Sequence, residues 1–198
     1  MKKSRTTTII VSLLLVLALF AGLLVATYAL FTDEERVNNH LQAGNLDIEL
    51  QIDSVKGNGY VDGVLEDDID YTPANTNDKI FNSDNFFPAM YQEATLTLLN
   101  NGSLPFDYTL EFEITKDSGL AKYIDVTVTD KDGKVLTADG ATLESLTVPV
   151  KVGSMKGDEK QQQFKVRVEF DSSVTEVAAG ASIDFDILVV ATQAGANA

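Results

Sequence analysis

The stretch FDYTLEFEI, residues 106–114, decides the fold class of this chain. Apolar side chains stand at every second position, and polar side chains fill the positions between them. Because successive side chains of a β-strand point to opposite faces, this spacing gathers the apolar groups on one face. The stretch therefore predicts a strand with one buried face and one face in water.

The same alternation recurs along the chain and predicts a sheet protein. A further strand is expected over 94–99, and a short one over 134–136 after the Asp130–Gly133 turn. Two short helical turns are expected, at Ser118–Tyr123 and Thr142–Leu146. Six or more short strands favour an all-β fold, an antiparallel β-sandwich that is jelly-roll-like. The other alternating stretches are residues 46–52, 124–128, 164–170 and 183–189.

Residues 53–85 break the strand pattern and predict a long acidic loop. The segment carries eight Asp and Glu residues against two Lys residues and is rich in Asn and Gly. Loops of this length in compact domains are often functional. A run of charges is also typical of a plain solvated surface, which is the alternative interpretation.

Carboxylates in this segment are candidate calcium ligands, since calcium takes oxygen ligands. The best match to a calcium-binding helix–loop–helix sequence aligns Gly59 with the glycine of that loop. Lys56 then falls on a ligand position, and Leu65 falls where a bidentate Glu is needed, so the loop is degenerate. Calcium is therefore a candidate cofactor only through a loose cluster of four residues: Asp62, Asp67, Asp68 and Asp70.

The first 29 residues predict a signal peptide. Lys2, Lys3 and Arg5 precede an uncharged apolar run over residues 9–26. Small residues then favour cleavage between Ala29 and Leu30. The apolar run approaches the roughly 20 residues that span a bilayer, so a retained membrane anchor is the alternative. The sequence thus predicts a protein that is secreted or held at the cell surface.

Three segments follow from this division of the chain. Residues 1–29 are the signal peptide, residues 30–44 an N-terminal segment, and residues 45–198 the β-sandwich domain with its acidic insertion at 53–85. The N-terminal segment is the candidate functional element, because a strand freed by cleavage can add to the sheet edge of another subunit. A frayed terminus is the alternative. The candidate donor-strand residues are Leu30, Phe31, Thr32, Asp33, Val37, Asn38 and Asn39.

Composition argues against several classes of function. The 198 residues include no Cys and a single His, His40, so this chain alone cannot build a structural zinc site or a thiol nucleophile. A metalloprotease motif needs two His residues one helical turn apart. The net charge of −15 argues against a nucleic-acid partner, because binding to phosphates requires clustered Lys and Arg. We therefore predict no catalytic residues.

Three blocks of sequence resemble the TasA/CalY (camelysin) family, secreted biofilm-matrix fibre proteins of Gram-positive bacteria. The resemblance implies a jelly-roll-like domain, cleavage by a SipW-type signal peptidase and head-to-tail fibres. In such fibres the mature N-terminus, Leu30 to Asn39 here, is the donor strand of the next subunit. The blocks are Ala29–Asp33 with Asn38, Asn39 and Ala43–Ile48; Asn100–Leu104; and Ile183–Gln193.

The resemblance also implies partners and alternative functions for this chain. The expected partners are other copies of this chain, the signal peptidase and other matrix or cell-wall components. Camelysin is also classed as a metalloprotease, so a cell-surface metalloprotease is one alternative, although no zinc-ligand pattern is visible. A calcium-binding surface adhesin is the other alternative.

Overall fold

The structure, a computed structural model, describes residues 32–36, 46–75, 79–83, 86–176 and 180–194. For residues 32–36 it gives the course and pairing of the backbone. The described residues form nine β-strands and a 3-10 helix at Ala121–Tyr123. The strands are β1 Thr32–Arg36, β2 Ile48–Val61, β3 Val64–Asp70, β4 Tyr91–Asn100, β5 Phe106–Asp117, β6 Ile124–Thr129, β7 Val150–Met155, β8 Gln161–Phe170 and β9 Ile183–Gln193.

The strands build two antiparallel sheets that pack face to face. One sheet has the order β1-β9-β5-β7, and the other has the order β3-β2-β4-β8-β6. The predicted all-β class and the antiparallel sandwich are confirmed. Each predicted strand from 94–99 onward lies within a strand of the structure, except residues 134–136, where Val135 makes only an isolated bridge to Thr129.

The two expected helical turns are present in reduced form. The 3-10 helix lies within the first expected turn. The second is a turn in which the Leu146 N–H donates to the Thr142 carbonyl oxygen at 3.1 Å. Both are short because each merely joins strands of different sheets.

The long acidic loop over residues 53–85 is a wrong prediction for its first half. Strands β2 and β3 form a hairpin there, turning at Asp62 and Gly63, whose φ angles are +51° and +82°. An Asp-Gly pair between apolar residues is a strong hairpin signal. Polar residues and glycines concealed the strands, which backbone pairing to β4 stabilises as far as Gly57 opposite Gln92.

Asp53 shows how a charged residue is accommodated within β2. The register between β2 and β4 shifts between Ile52 and Ser54, so Asp53 sits in a bulge. Its carboxylate accepts hydrogen bonds from Thr97 Oγ1 at 2.6 Å and from Gln163 Nε2 at 2.9 Å. This carboxylate therefore links three neighbouring strands on the outer face of the sheet.

The core lies between the sheets and includes a buried polar contact between Tyr108 and Gln162. Phe106, Tyr108 and Phe164 are among its largest fully buried side chains. The Tyr108 hydroxyl of β5 donates to Gln162 Oε1 of β8 at 2.6 Å, and Gln162 Nε2 donates to Glu159 at 3.2 Å. Because a buried polar group without a partner is costly, this contact fixes the position of one sheet relative to the other.

Replacing Tyr108 by Phe should destabilise the fold by about 1–2 kcal/mol, because it leaves Gln162 Oε1 buried without its donor. Urea unfolding measures the loss. The double variant Tyr108→Phe/Gln162→Met removes both polar partners and should recover part of that loss. A double variant less stable than the sum of the two single changes would contradict this account.

Burial of Tyr108 also predicts a loss of stability at high pH. Burial raises the pKa of its hydroxyl well above the ordinary value of 10.0, and the Glu159 and Asp130 carboxylates add to the shift. Above pH 10.0 the unfolded chain releases this proton while the folded chain keeps it, so the free energy of unfolding falls as pH rises. The stability difference between the parent chain and Tyr108→Phe should therefore narrow above that pH. A constant difference would show that Tyr108 titrates alike in both states.

Candidate functional site at the edge formed by β1 and β9

Strand β1 forms one edge of the four-stranded sheet. Its five residues pair with β9 of the same chain in antiparallel register, from Thr32 opposite Thr192 to Arg36 opposite Leu188. Within the described residues, β9 is its only strand neighbour. Strand β1 is therefore held to the sheet by backbone pairing along a single side.

Strand β9 is central to that sheet only because β1 is present. On its other side β5 pairs with it over the full length, from Phe106 opposite Gln193 to Asp117 opposite Ile183. The side chains of Leu188, Val189 and Ala191 are buried. Without β1, β9 would be a long apolar edge strand with unpaired backbone groups, which natural sheets avoid.

Two of the other sheet edges, those of the five-stranded sheet, are protected in different ways. The free side of β6 is covered by the chain that follows it, since Val126 N–H donates to Ala141 O at 2.7 Å and Leu136 N–H donates to Val128 O at 2.8 Å. The free side of β3 carries the exposed acids Glu66, Asp67 and Asp68, and charge of this kind discourages strand pairing. The β9 edge instead depends on the short segment that follows the expected cleavage site.

The predicted donor-strand residues are only partly covered by the structure. Thr32 and Asp33 lie in β1 and face Thr192 and Ala191. The remaining predicted residues of this segment, the cleavage site and the single His fall outside the described residues: Leu30, Phe31, Val37, Asn38, Asn39, Ala29 and His40. In the part of the chain that is described, no helix is long and apolar enough to cross a membrane.

Sequence reasoning singled out the segment that contains β1 but missed its pairing with β9. The signal was the unbroken apolar run from Ile187 to Ala191, which departs from the alternation of the preceding residues. An unbroken run is typical of a strand that is buried on both faces and flanked on both sides. The neighbour on the second side cannot be read from the sequence, because register depends on tertiary pairing.

The four candidate calcium ligands lie along the hairpin. Asp62 is in its turn, and Asp67, Asp68 and Asp70 lie in β3. Lys56 Nζ is 3.7 Å from Asp68 Oδ1 and 3.8 Å from Asp70 Oδ2.

Hydrogen bonds from Thr72, with a smaller contribution from Lys56, lower the pKa of the Asp70 carboxyl below its usual value. Within the described ranges no three acidic or His side chains converge as metal ligands. Calcium binding therefore stays a prediction.

Two comparisons bear on the identity of the chain. No protein-family model matches the sequence, and no curated protein matches it. Function has to be argued from the β1–β9 edge itself.

Calorimetry with calcium tests the acidic cluster. A calcium site in the hairpin should give heat of binding and a rise in Tm that magnesium at equal ionic strength does not reproduce. Asp67→Asn/Asp68→Asn should abolish both signals, while Asp132→Asn, in a distant turn, should leave them intact. Equal heats and equal rises in Tm with calcium and magnesium would show that the ions only screen the surface charge of these acids.

Proposed function

We propose that this chain is an exported structural protein that polymerises into extracellular fibres by donor-strand addition. The observation that carries the proposal is the position of β1. This strand begins just after the expected cleavage site at Ala29, and it completes the apolar β9 edge through backbone pairing. The mature N-terminus of one subunit would occupy that edge of the next subunit, in the extracellular matrix or at the cell surface.

Pairing with a second copy requires no new contact chemistry. The five residue pairs between β1 and β9 of one chain can equally form between β1 of one subunit and β9 of another. The closed monomer and the assembled fibre then differ mainly in the path of the chain that connects β1 to β2 and in the entropy of association. Each subunit gives one strand and accepts one strand, which is a heterologous contact that extends into a filament if it does not close.

The order of strands supports the finer assignment to a jelly roll. From β4 to β9, consecutive strands lie alternately in the five-stranded and the four-stranded sheet. The first strand of the four-stranded sheet lies beside the last strand of the chain. Such wrapping is expected of a jelly roll, in which the N-terminal strand closes the sheet and is the natural one to exchange. The β2–β3 hairpin adds β3 as an edge strand to the five-stranded sheet.

Engineered cysteines can test strand exchange directly, because the chain has no Cys of its own. Glu34 of β1 and Thr109 of β5 both lie opposite Val190 of β9, on its two sides. Directly opposed residues of antiparallel strands come close enough for a disulfide. In the mature chain beginning at Leu30, Glu34→Cys/Val190→Cys should join neighbouring subunits when assembled fibres are oxidised. Non-reducing electrophoresis should then show a ladder of covalent multimers.

Thr109→Cys/Val190→Cys is the matched control, because β5 and β9 belong to one subunit in every arrangement. Its oxidised fibres should run as monomers. Oxidation before assembly should trap β1 of the first variant on its own β9 and prevent fibres, while the control still assembles. Fibres of the first variant that run only as monomers after oxidation would overturn strand exchange. A mature chain that forms no fibres would overturn the proposed function as a whole.

Removing the donor gives a second, independent prediction. A chain that begins at Asn45 lacks β1 but keeps the core, whose buried residues run from Leu46 to Ala191. We expect it to remain folded by circular dichroism and to form no fibres of its own by electron microscopy. Its open β9 edge should accept β1 from full-length mature subunits and terminate their fibres. Fibres of equal length with and without the truncated chain would contradict the acceptor role of β9.

A further inference from the structure

The β2–β3 hairpin projects beyond the sheet that carries it. Strand β2 pairs with β4 only as far as Gly57 opposite Gln92. Beyond that point the pairing is within the hairpin alone, with Gly59 opposite Glu66 and Val61 opposite Val64. We call residues 59–66 the hairpin tip. It is a two-stranded projection supported only at its base.

The hairpin tip exposes apolar side chains on both faces, since Tyr60 and Leu65 are paired on one face and Val61 and Val64 are paired on the other. Tyr60, Val61, Val64 and Leu65 are exposed by 51%, 42%, 62% and 40% respectively. The neighbouring Phe87 is 48% exposed and meets the Tyr60 ring edge-on, with 5.9 Å between ring centroids. The other large exposed apolar side chains of the described chain, Ile114, Val135 and Val148, lie on other elements. Grouped exposure of this kind marks interaction surfaces.

Buried polar contacts hold the base of the hairpin tip in position. Asn58 is only 5% exposed, and its side chain donates to Ala89 O at 3.0 Å and accepts from Tyr91 N–H at 2.7 Å. Tyr71 Oη donates to the Asn58 carbonyl oxygen at 3.1 Å. A Cβ at residue 59 would lie 2.5 Å from Tyr71 Oη, so any larger residue there would displace the tyrosine from its contact with Asn58. A surface fixed in this way loses little entropy when a partner binds.

Charge around the hairpin tip selects the partner. From Asn58 to Asp68 the hairpin has four acids, Asp62, Glu66, Asp67 and Asp68, and no base. The nearby Lys56 is already placed between Asp68 and Asp70. A second copy of this acidic chain or an anionic membrane would bring like charges together.

We propose that the hairpin tip is a docking surface for a basic, amphipathic segment of another protein. Apolar side chains of that segment would cover the face formed by Tyr60 and Leu65 beside Phe87, and its Lys or Arg side chains would face the acids of the hairpin. Complementary charge fixes orientation and speeds association, while the apolar contact provides most of the affinity. This surface is separate from the β1–β9 edge, so the inference does not depend on strand exchange.

A synthetic peptide of about ten residues, the length of a long strand, serves as the probe. One form alternates Leu with Lys, and the matched form alternates Leu with Glu. The protein is the oxidised Glu34→Cys/Val190→Cys monomer, in which β1 stays on its own β9, so the peptide cannot add to the β9 edge. Amide chemical-shift changes on adding the Leu-Lys peptide should centre on residues 58–68 and 87.

Tyr60→Thr/Leu65→Thr should weaken binding of the Leu-Lys peptide at least about tenfold, because threonine keeps strand propensity but removes the apolar contact. Ile114→Thr/Val148→Thr, at exposed apolar sites elsewhere, should leave binding unchanged. Binding should also weaken in about 0.5 M salt, where charges are screened.

Three results would overturn the proposal. The first is equal weakening by both sets of substitutions. The second is equal affinity for the Leu-Glu peptide. The third is a different occupant with no binding of the Leu-Lys peptide. That occupant would be a membrane if the chain bound phosphatidylglycerol or phosphatidylcholine vesicles, or a second copy if it formed dimers in sedimentation, and in either case the tip substitutions would abolish the binding.

Discussion

The backbone groups on the outer side of β9 are the constraint on which the rest of the structure depends. Strand β9 lies against β5 along its whole length and buries Val189 and Ala191 in the core, so it cannot leave the sheet. Its other side must then be paired, because unpaired amide and carbonyl groups beside an apolar surface are costly and invite uncontrolled association. Strand β1, which is five residues long, pairs with this side of β9.

A strand that is paired along only one side is suited to exchange. The described core runs from Leu46 to Ala191 and is fastened internally by the contact between Tyr108 and Gln162 and by the Asp53 carboxylate. These contacts join strands that lie away from the β1 edge. The backbone part of the cost of freeing β1 is therefore local, on the order of a few hydrogen bonds that are each worth about 1 kcal/mol. Pairing of β1 with the β9 edge of a neighbouring subunit would re-form the same hydrogen bonds and so recover that free energy.

Sequence alone gave the fold class because the alternation of residues 106–114 and 164–170 reports burial directly. It failed for residues 53–70, where Gly57, Gly59 and several acids lower strand propensity. There the strand is stabilised by pairing with β4, and tertiary pairing overrides local propensity. The segment that contains β1 was singled out because cleavage sites have a local signature. Its pairing with β9 was missed because a neighbour across a sheet leaves no local signature.

The two surfaces proposed for interaction obey different physical rules. The β9 edge recognises backbone, so any strand of suitable register fits it, and its selectivity has to come from proximity and from the apolar side chains on either face. The hairpin tip would recognise side chains, since what it offers are exposed apolar groups, among them Tyr60 and Leu65, beside acidic residues. The acids beside the tip oppose the approach of another acidic copy. Under the two proposals, self-association is confined to one edge of the sandwich and the tip is left for a partner of opposite charge.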